Sequence, residues 1–221
     1  MANKKIKKIG VVRFPGTNCD RDVWQAVEMS GNEPVWLWFE DRFASADLAG
    51  IVVPGGFSYG DYLRAGALAA RSPVMDSVRE AAASGCPVMG ICNGFQILCE
   101  AQLLPGALVR NESLRFVDKW VTLQVENGET PWSRHLQGGQ EISLPVAHGE
   151  GRYYVEPAVL RELEDQEQIW LRYKEDINGS LGQIAGIMSR ARNVVGLMPH
   201  PERAVVDWMG GKDGISFFLG L

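Results

Sequence analysis

Cys92 stands in Gly90-Ile91-Cys92-Asn93-Gly94, a G-x-C-x-G pattern between a predicted strand and a predicted helix. This is the arrangement of a nucleophile elbow with cysteine in place of serine. The turn leaves no room for side chains on its flanks, so glycine is required at both outer positions. It lifts the sulfur over the C-terminal edge of a sheet, where open α/β sheets bind ligands. A free thiol is mostly protonated at neutral pH, and the positive end of the following helix favours the nucleophilic thiolate. The backbone N–H of Asn93 is placed to donate to an oxyanion. On the pentapeptide alone, a buried apolar thiol in a glycine-rich strand end is an equally good reading. Cys86 at a strand entrance and Cys99 in mid-helix are expected to be structural. Cys19, in a loop before a helix, is the weaker rival nucleophile.

A thiol nucleophile needs a base, and the chain has three histidines, His135, His148 and His200. His200 lies in Met198-Pro199-His200-Pro201-Glu202-Arg203, directly after an apolar strand. The proline that follows favours extended backbone at His200, and residues two apart on an extended chain share a face. Glu202 is therefore placed to hold the ring nitrogen that does not face the thiol, fixing tautomer and orientation. Cys92, His200 and Glu202 would form a triad. His148 is the runner-up base, with Glu150 also two residues on, but Gly149 between them leaves that geometry unfixed. His135 sits in a polar stretch and is expected to be solvated. Pro54-Gly55-Gly56 ends another predicted strand, and its glycine pair lets backbone N–H groups approach a ligand, completing an oxyanion hole with Asn93.

Positioning these groups falls to alternating elements. Residues 9–14, 33–39, 51–53 and 87–91 read as buried strands, and residues 20–29, 73–84 and 93–101 as helices. Strand and helix alternating at this spacing predicts a doubly wound α/β fold, with a mostly parallel sheet flanked by helices. Beyond Leu103 the rhythm changes. Residues 121–125, 142–146, 168–173, 184–188 and 194–198 read as strands with few helices between them, separated by Asn127-Gly128, Gly138-Gly139 and Asn178-Gly179 turns. These are expected to add antiparallel strands to the sheet edge or to form a small flanking sheet. No repeat, low-complexity tract or linker divides the chain, so residues 1–221 are expected to form one domain.

Composition narrows the function classes. A net charge of −5 argues against nucleic acid or an anionic membrane as partner. The basic run Lys4, Lys5, Lys7 and Lys8 is followed by no apolar stretch of signal-peptide length, and no run of roughly 18 apolar residues suits a membrane span. Four cysteines without a CxxC pair suit a reducing compartment, and a cytoplasmic location is expected. No metal site is expected.

Taken together, Pro54-Gly55-Gly56, the elbow extended to Gln96 as G-x-C-x-G-x-Q, and His200-Pro201-Glu202 resemble the class I, triad-type glutamine amidotransferases. The motifs fall in family order across most of the chain. Within that family the resemblance is to the purine-biosynthetic branch that serves phosphoribosylformylglycinamidine synthase. It is carried by Phe14-Pro15-Gly16-Thr17-Asn18-Cys19-Asp20-Arg21-Asp22, by the segment from Pro54 to Ala67, and by Ala147-His148-Gly149-Glu150-Gly151. The resemblance implies a flavodoxin-like fold, Cys92 as nucleophile, His200 and Glu202 as its partners, and Gly56 (in the Gly55-Gly56 pair) and Asn93 amides as oxyanion donors. It also implies that Gln96 helps hold glutamine. No P-loop pattern occurs, so ATP and Mg are expected on a large synthetase partner, with a further small subunit as an additional partner and no cofactor in this chain. Phe57, Tyr59, Tyr62 and Arg64 have the character of interface anchors for that partner. The rival readings are a free-standing cysteine hydrolase, the glutaminase subunit of another amidotransferase, and an inactive α/β interaction module.

Overall fold

A computed structural model describes residues 6–221, so Lys4 and Lys5 of the basic run lie outside the described residues. The chain runs β1 (Lys8–Arg13), α1 (Asp20–Met29), β2 (Glu33–Trp38), β3 (Leu48–Val53), α2 (Pro73–Ala83), β4 (Val88–Ile91) and α3 (Asn93–Glu100). It continues through β5 (Ala107–Val109), β6 (Val117–Val125), β7 (Glu141–His148), β8 (Arg152–Tyr154) and α4 (Pro157–Asp165). The last elements are β9 (Ile169–Tyr173), β10 (Ile184–Met188), β11 (Val194–Leu197) and α5 (Ser216–Leu219). The expected α/β architecture is present, and residues 20–29 and 184–188 match their elements at both ends.

Nine strands form one sheet in the order β2-β1-β3-β4-β11-β10-β9-β6-β7, and β5 pairs with β8 in a separate ribbon. The first five are parallel, with β4 pairing with β11 from Val88↔Val194 to Ile91↔Leu197. From β11 onward the pairings are antiparallel. Of the two fates expected for the second-half strands, the first occurs: β6, β7, β9 and β10 extend the sheet antiparallel, while the separate ribbon is built from β5 and β8, two short strands that were not expected. β11 itself is parallel to β4, which brings the His200 segment beside the elbow.

Burial explains why the two halves read differently in sequence. Val11, Val12, Ile51, Val52, Val53, Val88, Met89 and Ile91 are buried without alternation, as in parallel strands covered on both faces. Each such side chain contributes about 1.5–3 kcal/mol when fully buried. β7 instead buries Ile142, Leu144, Val146 and His148 and leaves the residues between them half-exposed or exposed. Helix α1 forms because Asp20 and Asp22 suit its positive end and Val23, Ala26 and Val27 make one buried face. It ends where the N–H groups of Gly31 and Asn32 close on the Glu28 and Val27 carbonyls.

The C-terminal ends of β1, β3, β4 and β11 lie side by side. The loops leaving them carry Cys19, Gly55-Gly56, Cys92 and His200 respectively. Strand β7 crosses to the same edge, where the Pro145 carbonyl accepts the N–H of His200 at 2.8 Å.

Candidate active site

Cys92 caps α3 with φ 51° and ψ −108°, a left-handed conformation that costs a non-glycine residue about 1–3 kcal/mol. Its N–H is held by the Leu197 carbonyl at 2.8 Å, and its own carbonyl accepts from Phe95 and Gln96 at 2.9 and 3.2 Å. The flanking glycines are obligatory for steric reasons. A Cβ on Gly90 would stand 2.6 Å from the Gly94 carbonyl oxygen, and one on Gly94 would overlap the Val53 carbonyl oxygen. The elbow pattern is thus imposed by the close approach of α3 to the end of β3. The Cys92 sulfur reaches the Ala147 carbonyl at 3.9 Å, at the end of β7.

His200 and Glu202 are buried at 2% and 0% exposure, and His200 Nδ1–H donates to Glu202 Oε1 at 2.7 Å. Burial opposes charging the imidazole, but the Glu202 carboxylate, the Cys92 sulfur and contact with Cys19 hold its pKa well above the ordinary histidine range. Nε2 makes no hydrogen bond of good geometry, yet both sulfurs lie close enough to act on it. Gly55 provides the space: a Cβ there would come within 3.0 Å of His200 Cε1, 3.2 Å of Cys19 Sγ and 3.3 Å of Cys92 Cβ. Cys92, His200 and Glu202 therefore converge as the sequence predicts, over a glycine whose missing side chain makes room for them.

Gly56, with φ +132°, lines the cavity beside Cys92. The loop after β1 fixes it: Thr17 bridges to Gly56, and the N–H groups of Phe57 and Tyr59 donate to the Gly16 and Pro15 carbonyls at 3.1 and 2.7 Å. The side chain of Asn93 ties parts of the site together. It accepts from Ser58 N–H at 3.1 Å and donates to Asp61 Oδ1 at 3.3 Å and Gln96 Oε1 at 2.8 Å. Gln96 lines the cavity, and its Nε2 donates to the Glu150 carbonyl at 2.7 Å. The first turn of α3 thus ties together two walls of the site, the 57–61 turn and the 147–151 loop.

The cavity encloses about 270 Å³. Besides Cys92, Gln96, Gly56 and His200, its lining includes Cys19, Asp61, His148, Glu150 and Arg203. Sequence reading missed Asp61 and Arg203, although Arg203 follows Glu202 directly and Asp61 lies within the Pro54–Ala67 segment. Arg203 donates to Asp22 Oδ2 at 3.1 Å and to Cys19 Sγ at 3.2 Å. Burial raises the Cys19 pKa, which disfavours it as the nucleophile. Cys19, His200 and Glu202 offer donor atoms within 4.8 Å of one another, but the Arg203 cation on the sulfur makes that set a poor metal site. Burial, then Glu150, push the Asp61 carboxyl up to about 6 against its hydrogen bond from Asn93.

His148 is buried, and burial followed by the nearby His200 lowers its pKa to about 4, so it is neutral at physiological pH. Its Nδ1 is held by Asn111 Oδ1 at 3.1 Å rather than by Glu150. His135 is exposed. One expected interface anchor, Tyr59, needs correction, and a second, Arg64, is exposed but already paired. Tyr59 is half-buried and packs between Phe14 and Phe39, with centroids 6.3 and 6.1 Å away. Arg64 forms a bidentate pair with Glu100 at 2.6 and 2.5 Å. Phe57 and Tyr62 remain exposed, at 50% and 75%. A larger cavity of about 480 Å³ lies at the opposite sheet edge among Glu126, Glu129, Glu164, Glu167 and Arg172, and no cysteine or histidine lines it.

Comparison with known proteins places this geometry in a family. Residues 6–212 match the model of the CobB/CobQ-like glutamine amidotransferase domain. The chain is 54% identical over 212 residues to the phosphoribosylformylglycinamidine synthase subunit PurQ of Rubrobacter xylanophilus, covering 95% of this chain and 94% of that protein. It is 52% identical to the PurQ of Thermus thermophilus, covering 96% of each. A chain in the structure of PurLQS from Thermotoga maritima superposes with a TM-score of 0.89 at 46% identity, covering 97% of both chains. A putative GMP synthase subunit from Thermoplasma acidophilum shares the fold alone, with a TM-score of 0.64 at 17% identity over 99% of this chain and 94% of the other. The chain belongs to the CobB/CobQ-like glutamine amidotransferase family, among the PurQ subunits of phosphoribosylformylglycinamidine synthase.

Proposed function

We propose that this chain is the glutaminase subunit of a phosphoribosylformylglycinamidine synthase, hydrolysing glutamine and passing ammonia to an ATP-dependent synthetase subunit in purine biosynthesis. The observation that carries the proposal is the meeting of Cys92 and His200 over Gly55 at the wall of one small cavity, with Glu202 buried behind His200 and bonded to its Nδ1. The Cys92 thiolate attacks the carboxamide carbon, and the Gly56 and Asn93 amides stabilise the oxyanion. His200, oriented by Glu202, gives its proton to the departing nitrogen, so ammonia leaves and a glutamyl thioester remains. His200 then takes a proton from water as it attacks the thioester; the Cys92 thiolate is expelled beside the protonated His200, and the product acid loses its remaining proton to solvent as glutamate.

Ammonia released into water at neutral pH would be protonated and lose its nucleophilicity, which favours direct passage to the acceptor site. The relatives named above, with PurLQS among them, support a large synthetase subunit and a small subunit as partners. ATP and Mg belong to the synthetase in this reading, and the assembly works in the cytoplasm. Among the described residues no helix is long and apolar enough to cross a membrane. The proposal is tested by treating the chain with a glutamine-mimicking alkylator and mapping the adduct. One adduct on Cys92, suppressed by excess glutamine, is expected. An adduct on Cys19, or none, would contradict it.

A further inference from the structure

Glutamine differs from a simple amide by its charged amino-acid end, and the cavity holds a set of acceptors that the triad does not use. Asp61 and Glu150 both line it, and one relay ties the Asp61 carboxylate to the Glu150 backbone. Asn93 holds the Asp61 carboxylate at 3.3 Å, Gln96 holds the Glu150 carbonyl at 2.7 Å, and the two amides join at 2.8 Å. The third acceptor is His148. Asn111 Oδ1 accepts from Gly151 N–H at 3.1 Å, while its Nδ2 donates to the Arg115 and His148 carbonyls at 2.9 and 2.8 Å. Asn111 therefore presents oxygen to His148 Nδ1 at 3.1 Å, so the proton sits on Nδ1 and Nε2 carries the lone pair. That Nε2 is buried and has no hydrogen-bond partner among the described residues.

We infer that Asp61, Glu150 and His148 Nε2 receive the α-ammonium group of the substrate, so that this end of the cavity selects a γ-carboxamide carrying an amino group over a simple amide. The inference rests on the glutaminase reading proposed above. An ammonium has three donors, and the site offers two carboxylates and one neutral acceptor. The cations nearby are already engaged: Arg110 Nε lies 3.7 Å from Glu150 Oε1, and Arg203 is held by Asp22 and Cys19. The raised pKa of Asp61, caused by burial and then by Glu150, describes a carboxylate that a bound cation would stabilise.

The test compares glutamine with glutaramate, which has the same carboxamide and carboxylate but no amino group, using the chain assembled with its synthetase partner. The wild-type kcat/KM is expected to favour glutamine by roughly 100-fold, since charge-assisted hydrogen bonds of this kind are each worth about tenfold or more. Asp61→Asn should lower kcat/KM for glutamine about tenfold, mainly through KM, and bring the ratio of the two substrates closer to one. Asp61→Glu, which keeps the charge, should recover part of the preference. A wild-type ratio near one, or an Asp61→Asn variant that loses both substrates equally, would overturn the inference and leave the glutaminase reading standing. Turnover of neither amide by the wild-type assembly would overturn both.

Discussion

Glu202→Gln separates the charge of the third triad member from its shape. Glu202 is fully buried, its Oε1 accepts His200 Nδ1–H at 2.7 Å, and its Oε2 has no hydrogen-bond partner among the described residues. The amide keeps an acceptor for the imidazole but removes the charge that stabilises it when protonated. A hydrogen bond to a charged group contributes about 1.5–3 kcal/mol against about 1 kcal/mol for a neutral one. The difference of about 0.5–2 kcal/mol corresponds to roughly a 2- to 30-fold fall in kcat. His200→Ala, which removes the proton carrier itself, should cost on the order of 10²- to 10⁴-fold. Stability should respond with the opposite sign at high pH. His200 has a folded pKa above its unfolded value, so its contribution is fully present below about pH 6.5 and is lost as pH rises through the folded pKa. Glu202→Gln should flatten that dependence, and at alkaline pH, where His200 is neutral, the variant should melt no lower than wild type because a buried charge without a charged partner has gone. Glutaminase kinetics and thermal melts across pH 6–9 would check both halves. A loss as severe as that of His200→Ala, or an unchanged pH slope of stability, would refute the reasoning.

Other substitutions probe the frame around the triad. Gly94→Ala places a Cβ against the Val53 carbonyl oxygen and should destabilise the fold by about 3 kcal/mol. Gly85→Ala, which meets no atom but sits at φ +89°, should cost only about 1 kcal/mol, and urea denaturation distinguishes the two. Cys19→Ala should cost far less glutaminase turnover than Cys92→Ala and leave Cys92 labelling intact, whereas a loss equal to that of Cys92→Ala would make Cys19 part of the chemistry. As pH falls through about 6, Asp61 becomes protonated and can no longer pair with a cation, so the KM for glutamine should rise. Asp61→Asn should remove that limb of the profile, and its persistence would assign the ionisation elsewhere.

The parts of the molecule legible in sequence are those fixed by local punctuation. Helix α1 has acidic residues at its start and Gly31 past its end, and β4 runs directly into the elbow. Helix α4 was missed although Pro157 opens it and its apolar residues share one face; it lies at the surface and fully buries only Leu163. The ribbon of β5 and β8 was missed because three-residue strands have almost no periodicity. The triad was readable because each member sits at a strand end marked by glycine or proline. Asp61 and Arg203 were not, because their roles depend on partners 32 and 184 residues away, Asn93 and Cys19. The aromatic run after Gly56 misled in part: composition does not distinguish Tyr59, which packs inward, from Tyr62, which faces solvent.

The central claim is that Cys92 releases ammonia for a reaction completed on another subunit. Its most direct test is Cys92→Ala in the chain assembled with its synthetase, assayed for product formation with glutamine and, separately, with ammonium salt. Loss of the glutamine-driven reaction with the ammonia-driven reaction preserved at wild-type rate is the predicted result. Loss of both, which would make Cys92 a folding or docking residue, or survival of the glutamine-driven reaction, would contradict the account.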